Sequence, residues 1–181
     1  MPAPIILTLW LDETSEQIFQ RARTRWFPPD RNIVPAHITL FHHLDGAQAP
    51  GLLETLSQAC AAQRPTGFQT TGLRHLGRGV AYGVTAAPAA LFRAGLAEAW
   101  APMLTPQDRQ PWRPHITIQN KADPAASRAL YTALSADFVP HSGQVLGVRA
   151  WHYEGGPWSL AREIPFGPAV LAALPPDHPL P

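Results

Sequence analysis

The sequence predicts an α+β fold made of two pseudo-symmetric lobes, each an antiparallel sheet with helices on its outer face, enclosing a central groove. Three observations predict it. Two short alternating segments each carry a histidine closely preceded by a proline, an amphipathic helical stretch flanks each on both sides, and each half of the chain ends in a hairpin pattern turned by glycines.

In order along the chain, the apolar run ending at Leu11 reads as a strand. Thr14 to Gln17 has capping-box spacing, and Ile18, Phe19, Ala22 and Trp26 recur at helical spacing behind it. Ala36 to Leu44 alternates between Pro35 and Asp45-Gly46 and predicts a strand. Leu52, Leu53, Leu56, Ala59 and Cys60 mark a second helix, and Gly67 to Ala86 alternates around Gly77-Arg78-Gly79 as a hairpin does. The second half repeats this order. Leu91, Phe92, Leu96, Ala99 and Trp100 give a helix, and a proline-punctuated connector leads to the strand His115–Gln119. Ala126, Ala129, Leu130, Ala133 and Leu134 give the next helix, and Gly143 to Phe166 a hairpin turning at Gly155-Gly156-Pro157. Corresponding elements are offset by about 74 to 78 residues, the pattern of an internal duplication. Residues 1–166 are therefore expected to form one two-lobed domain, with lobes near 1–87 and 88–166 that could exchange strands. Residues 167–181 form a proline-rich tail, expected to lie along the surface without regular structure.

With 181 residues the chain can bury an adequate core without staples. Cys60 is the single cysteine and sits in an apolar stretch, so it reads as a core thiol, and a reducing cytoplasm is the expected location. The first apolar run is too short to span a bilayer, which predicts no membrane contact, and nothing suggests an obligate interface, so a monomer is expected. A formal charge of +1 excludes the strongly basic footprint of a protein that grips long nucleic acid, while leaving a small nucleotide or an RNA end open. Lys121 is the only lysine, every other basic residue being arginine.

The chemistry concentrates in the two histidine strands. Strand side chains alternate, so His37 and Thr39 share one face and Ile38 and Leu40 the other; His115 and Thr117 stand likewise against Ile116 and Ile118. Helices can cover the aliphatic faces, and the opposite faces each present an imidazole beside a hydroxyl. With eight histidines in the chain, one H-x-T triplet is expected by chance about half a time. Two copies with Ile at the centre, an aliphatic residue after Thr and equivalent places in the repeat are a stronger signal.

These motifs, His37-Ile38-Thr39-Leu40 and His115-Ile116-Thr117-Ile118, resemble the signature of the two-histidine (2H) phosphoesterases, which include 2'-5' RNA ligase-like proteins and cyclic nucleotide phosphodiesterases. The resemblance spans nearly the whole chain in element order. It implies a groove between two antiparallel sheets, both motifs facing the substrate phosphate, and neither metal nor cofactor. Ligase-like members often carry arginine in the pattern H-x-T-L-x-R. Here Asn120 takes that place and Lys121 follows, so Lys121 is the candidate cationic contact.

The residue types suit this reaction on their own account. Opening a 2',3'-cyclic phosphate needs a base for water, an acid for the departing ribose oxygen and donors for the phosphate oxygens. Imidazoles serve as base or acid, and the Thr39 and Thr117 hydroxyls can donate to the phosphate. By alternation Phe41 and His43 fall on the His37 face, while Tyr153 and Trp158 flank the last turn and Trp10 ends the first strand; all are candidates to line or stack on the substrate. The expected function is cyclic phosphodiesterase of the 2H type, yielding a 2'-phosphate, with 2'-5' ligation as the reverse. ADP-ribose cyclic phosphate and linear 2'-5' oligonucleotides are alternative substrates. A zinc hydrolase would usually need a third ligand, which no motif supplies. A non-catalytic module gripping a nucleotide or RNA end is the remaining alternative, although binding alone would be better served by Arg or Lys.

Overall fold

In the computed structural model, which describes residues 2–167, seven strands and four α-helices alternate along the chain: β1 (Ile5–Leu11), α1 (Glu13–Trp26), β2 (Thr39–Leu44), α2 (Ala49–Ala62), β3 (Thr66–His75), β4 (Val80–Thr85), α3 (Ala87–Ala99), β5 (His115–Gln119), α4 (Pro124–Ala136), β6 (Ser142–Tyr153) and β7 (Trp158–Pro165). The expected tail beyond residue 167, with His178, lies outside the described residues. No helix among the described residues is long and apolar enough to cross a membrane.

The fold is α+β, as the pattern predicted, and all strand pairs are antiparallel. The order β2-β1-β6-β3-β4-β5 makes a single hydrogen-bonded sheet, with β7 added to β6. Two strand sets share β6. Its first residues, Ser142–Val145, pair with β3, and Gly147–Tyr153 pair with β7. Gly147 stands at the changeover because a Cβ there would collide with the Ile164 carbonyl. The β3–β4 hairpin of the first half continues into β5 of the second, and the β6–β7 hairpin of the second half adds to β1 of the first. Both hairpins turn where the glycines predicted, with Gly77 (φ 83°) and Gly155 (φ 81°) in the left-handed region.

Helix α1 starts two residues before the Thr14 spacing suggested. Asp12 is the N-cap, accepting from Ser15 N (2.9 Å) and Ser15 Oγ (2.7 Å) and bonding Gln144 N of β6 (2.7 Å), so the cap also docks the helix to the sheet. Behind it Phe19 is 2% exposed, a burial whose loss on truncation typically costs about 3–5 kcal/mol. The helices cover the aliphatic strand faces. Ile38, Leu40, Leu56, Cys60, Ile116 and Val148 lie in the main core, and Ile118 packs with Val80, Leu130, Ala22 and Trp26. Cys60 is fully buried, and burial pushes its thiol up to about 12, which leaves it inert as a nucleophile.

Candidate active site

Covering Ile116 and Ile118 with helix leaves His115 and Thr117 on the opposite face of β5. His115 is the first residue of β5; His37 lies two residues ahead of β2, in extended chain after Pro35, where the Ile38 carbonyl accepts from Leu9 N (2.9 Å). This shortens the first motif's strand relative to the sequence expectation.

Both imidazoles are locked in the same way. His37 Nδ1 bonds the Pro35 carbonyl (2.7 Å) and His115 Nδ1 bonds the Arg113 carbonyl (2.8 Å), each two residues upstream. A carbonyl only accepts, so Nδ1 carries the hydrogen in both rings and Nε2 is left for a substrate. Thr39 and His115, one from each motif, line a single cavity of about 200 Å3 with His42, Trp112 and Arg113.

Electrostatics press both rings toward the neutral form. For His37 burial is the main cause; the Pro35 carbonyl opposes it, the charges of Arg23, His115 and His42 add to it, and the result is about 4. His115 is also lowered, by burial first, with the Arg113 carbonyl opposing and Arg74 and His42 adding. The charge of His42 acts on both rings, and that of His115 acts on His37 as well.

Alternation fails in β2, and this corrects two expectations. Thr8, Leu7 and Ile5 of β1 face Thr39, Phe41 and Leu44, so β2 spends an extra residue at each step. Phe41 is consequently turned into the core, 0% exposed, with Trp100 at 5.3 Å and the Arg93 guanidinium 4.8 Å from its ring. It cannot stack on a substrate. His42, rather than His43, joins the cavity. The irregularity is held by Asp108, 1% exposed, whose carboxylate accepts from the successive amides of His42 (2.8 Å) and His43 (3.1 Å) and meets His42 Nδ1 at 3.0 Å. Burial works to raise Asp108, but the bonds from His42 and His43 outweigh it and keep the carboxyl lowered.

Two buried arginines that the sequence reading passed over brace the motifs. Arg23 of α1 donates from Nη1 to the Thr117 carbonyl (2.9 Å) and from Nε to Asn32 Oδ1 (2.8 Å) and the Val34 carbonyl (3.0 Å). Arg93 of α3 donates to the Leu40 carbonyl (2.9 Å) and the Asp108 carbonyl (2.7 Å). The helix of each half thus holds the motif of the other. Their helical spacing, which places them on the buried face beside Phe19 and Ala89, was the available signal.

Of the remaining candidates, Trp158 lies beside the site, its ring 4.7 Å from that of His37. Trp151, not anticipated, extends the aromatic wall at 6.1 Å from Trp158 and donates to Thr8 Oγ1 (2.9 Å). Tyr153 pairs with Trp158 across the hairpin and is 38% exposed; Trp10 is half-buried, with the Arg149 guanidinium 5.3 Å from its ring. Asn120 and Lys121 are not brought to the cavity. At about 3.3 Å per residue, Gln119 is already ~13 Å along β5 from His115, and Lys121 lies beyond it. Asn120 Oδ1 accepts from Lys121 N (2.8 Å), and Gly79 of the β3–β4 turn packs on Asn120, so this segment serves the turn. The cationic contact assigned to Lys121 by its sequence position has no geometric support. Among the described residues, no three His, Cys, Asp or Glu side chains are grouped to hold a metal ion.

A groove flanked by two such motifs on an antiparallel sheet defines a 2H phosphoesterase-type protein. Residues 11–157 match the family model of the 2'-5' RNA ligase superfamily, and the chain belongs to that superfamily. No curated protein matches it in sequence. Among solved structures, it is similar to TT0787 of Thermus thermophilus (18% identity, 90% of this chain and 97% of that one, TM-score 0.61) and to a protein described as a phosphoesterase (15%, 93% and 100%, TM-score 0.61). It is also similar to E. coli LigT in apo form (16%, 92% and 99%, TM-score 0.59). At these identities the likeness is one of fold.

Proposed function

We propose that this protein opens 2',3'-cyclic phosphates, on a nucleotide or at an RNA end, by metal-independent acid–base catalysis between His37 and His115, giving a 2'-phosphate. One observation carries this reading: two neighbouring imidazoles, one feeling the other's charge, are each fixed through Nδ1 to a backbone carbonyl, which leaves each Nε2 for a substrate. A neutral ring takes the proton of water, a protonated one supplies the ribose oxygen, and the two exchange forms in one turnover. The Thr39 and Thr117 hydroxyls donate to the phosphate oxygens, and Trp158 with Trp151 offers a stacking wall for a base. Trp10 and the partly exposed Tyr153 are further contacts for a longer substrate in this reading. E. coli LigT has been solved with 3'-AMP, with phosphate and with ATP, which supports a nucleotide as the ligand here. The reverse reaction is 2'-5' ligation of RNA ends. We place the protein in the cytoplasm as a monomer.

The test is phosphorus NMR of 2',3'-cyclic AMP and 2',3'-cyclic CMP with the protein in excess EDTA. Conversion to a single monophosphate isomer, reduced by about 10²-fold or more in both His37→Ala and His115→Ala, is the expected result. Conversion abolished by EDTA would sink the metal-independent reading. No conversion by the wild type would leave a linear 2'-5' oligonucleotide, ADP-ribose cyclic phosphate or non-catalytic binding to be tried.

A further inference from the structure

The pair of motifs leaves one chemical need unmet. A phosphate under attack gathers negative charge on its non-bridging oxygens, and two histidines that lean toward neutrality supply no permanent cation to balance it. The sequence pointed to Lys121 for this, and the fold carries Lys121 to the far end of β5.

The strand register brings another cation in. Arg74 of β3 stands opposite Ala81 of β4, and Ala81 stands opposite Thr117 of β5; the neighbouring row runs Gly72, Gly83, His115. Residues opposite one another in a sheet share a face, so Arg74 is on the face that carries His115 and Thr117. That face is left open by two glycines. At Gly83, directly beside His115, a Cβ would lie 3.5 Å from Arg74 Cδ, so the stem of Arg74 crosses over this glycine toward the histidine. The end of the side chain is also located: Arg74 Nη1 donates to the Arg113 carbonyl (3.2 Å), the same oxygen that fixes His115 Nδ1 (2.8 Å). Guanidinium and imidazole therefore flank one acceptor. Arg74 is half-buried, pairs with no carboxylate among the described residues and uses only this one of its five N–H donors in a side-chain bond.

We infer that Arg74 is the phosphate-binding cation of the groove, donating to a non-bridging oxygen of the substrate phosphate held beside His115. The inference rests on the cyclic-phosphate reading and supplies what that reading lacks. It assigns the role that Lys121 has in the sequence pattern to a residue from the opposite half of the chain, reached through the sheet rather than along it. Because the contact strengthens as charge develops, its removal falls on kcat more than on KM.

The experiment compares wild type, Arg74→Met and Arg74→Lys on 2',3'-cyclic AMP, with melting temperatures measured alongside. Arg74→Met should lower kcat by about 10²-fold, with Arg74→Lys between it and wild type. Added guanidinium ion should restore part of the Arg74→Met activity, and none of that of His115→Ala. The alkaline limb of the kcat/KM profile should also move to higher pH in Arg74→Met. A cation that lowers His115 has then been removed, with His42, Arg93 and Arg113 still lining the cavity beside that ring. A merely structural arginine would produce neither the rescue nor the shifted limb. Arg74→Met activity within about twofold of wild type overturns the inference and leaves the cyclic-phosphate reading standing. If Arg74→Met does not fold, full activity in Arg74→Ala, or an Arg74→Ala deficit that added guanidinium ion leaves unchanged, serves as the overturning result. If wild type turns over no cyclic phosphate, that reading fails, and calorimetric binding of inorganic phosphate decides the inference: binding lost in Arg74→Met supports it, while equal binding in both or none in either overturns it.

Discussion

The two histidine motifs agree in sequence and in the bond that orients each ring, yet they sit in different surroundings. His37 precedes its strand, lies tilted against Trp158 and is pushed down to about 4. His115 opens its strand beside a cavity lined by polar side chains, where Arg74 shares its carbonyl anchor. The two motifs share the bond that fixes Nδ1 and differ in what stands next to each ring. Equal locks with unequal neighbours are a way for two identical groups to titrate apart, which the proposed acid–base pair requires.

The largest effect that tests this comparison is the pH dependence of kcat/KM. The productive pair has one ring protonated and one neutral. His37, lowered to about 4, is neutral above that pH, and His115, lowered from 6.5, holds its proton only below its own reduced value. Activity should therefore peak on the acid side of 6.5 and fall by about tenfold per pH unit well above the optimum, read from initial rates between pH 4 and 9. An optimum above 7 would break the idea that the surroundings depress both rings. The same shift carries a stability sign. Between about 4 and 6.5 the unfolded chain takes up a proton that folded His37 refuses, so the contribution of neutral His37 is complete above 6.5 and declines as pH falls to about 4.

Next in size are the two braces. Arg23→Met and Arg93→Met each strand buried carbonyls that the guanidinium satisfied, at about 1–3 kcal/mol for each group left unpaired, so denaturant melts should show a loss of about 3 kcal/mol for either. The braces are crossed, so the local damage should be crossed too. Arg23→Met should disturb the amide signals of β5, and Arg93→Met those of β2 and the Asp108 loop. Damage confined to each arginine's own half would refute the cross-bracing.

A smaller effect separates the two walls. Trp158 stands beside His37, and removing one base–aromatic stack costs about 1–3 kcal/mol, so Trp158→Ala should raise KM for a cyclic nucleotide by about tenfold with kcat little changed. The same change measured on inorganic phosphate as inhibitor should have no effect, because phosphate offers nothing to stack.

How much of this was legible in the sequence differs between the two motifs for a physical reason. Alternation placed His115, Thr117, Ile116 and Ile118 of β5 on the faces they occupy. In β2 the same rule held as far as Leu40 and then failed, since the extra residues in the pairing with β1 turn Phe41 inward and bring His42 to the cavity. That irregularity depends on Asp108, 66 residues from His42, and no local pattern records such a partner. Arg74 was hidden likewise: its nearness to His115 passes through β4 and is a property of strand order.

The smallest predicted effect is the one that most directly separates sequence position from spatial position. Lys121 follows the second motif in the chain, is exposed, and occupies a left-handed backbone position (φ 56°) in a turn that Gly79 and Arg78 hold, Arg78 bonding the Ala122 carbonyl (3.1 Å). Lys121→Ala should leave kcat/KM within about twofold at moderate salt, because a charge separated from the phosphate by more than a Debye length is largely screened. Lys121→Gly, which removes the same charge and suits the positive φ, should also raise the melting temperature slightly. A tenfold loss of activity in both variants would mean that the chain's single lysine reaches the phosphate after all, and that Arg74 is not the cation on which the second motif depends.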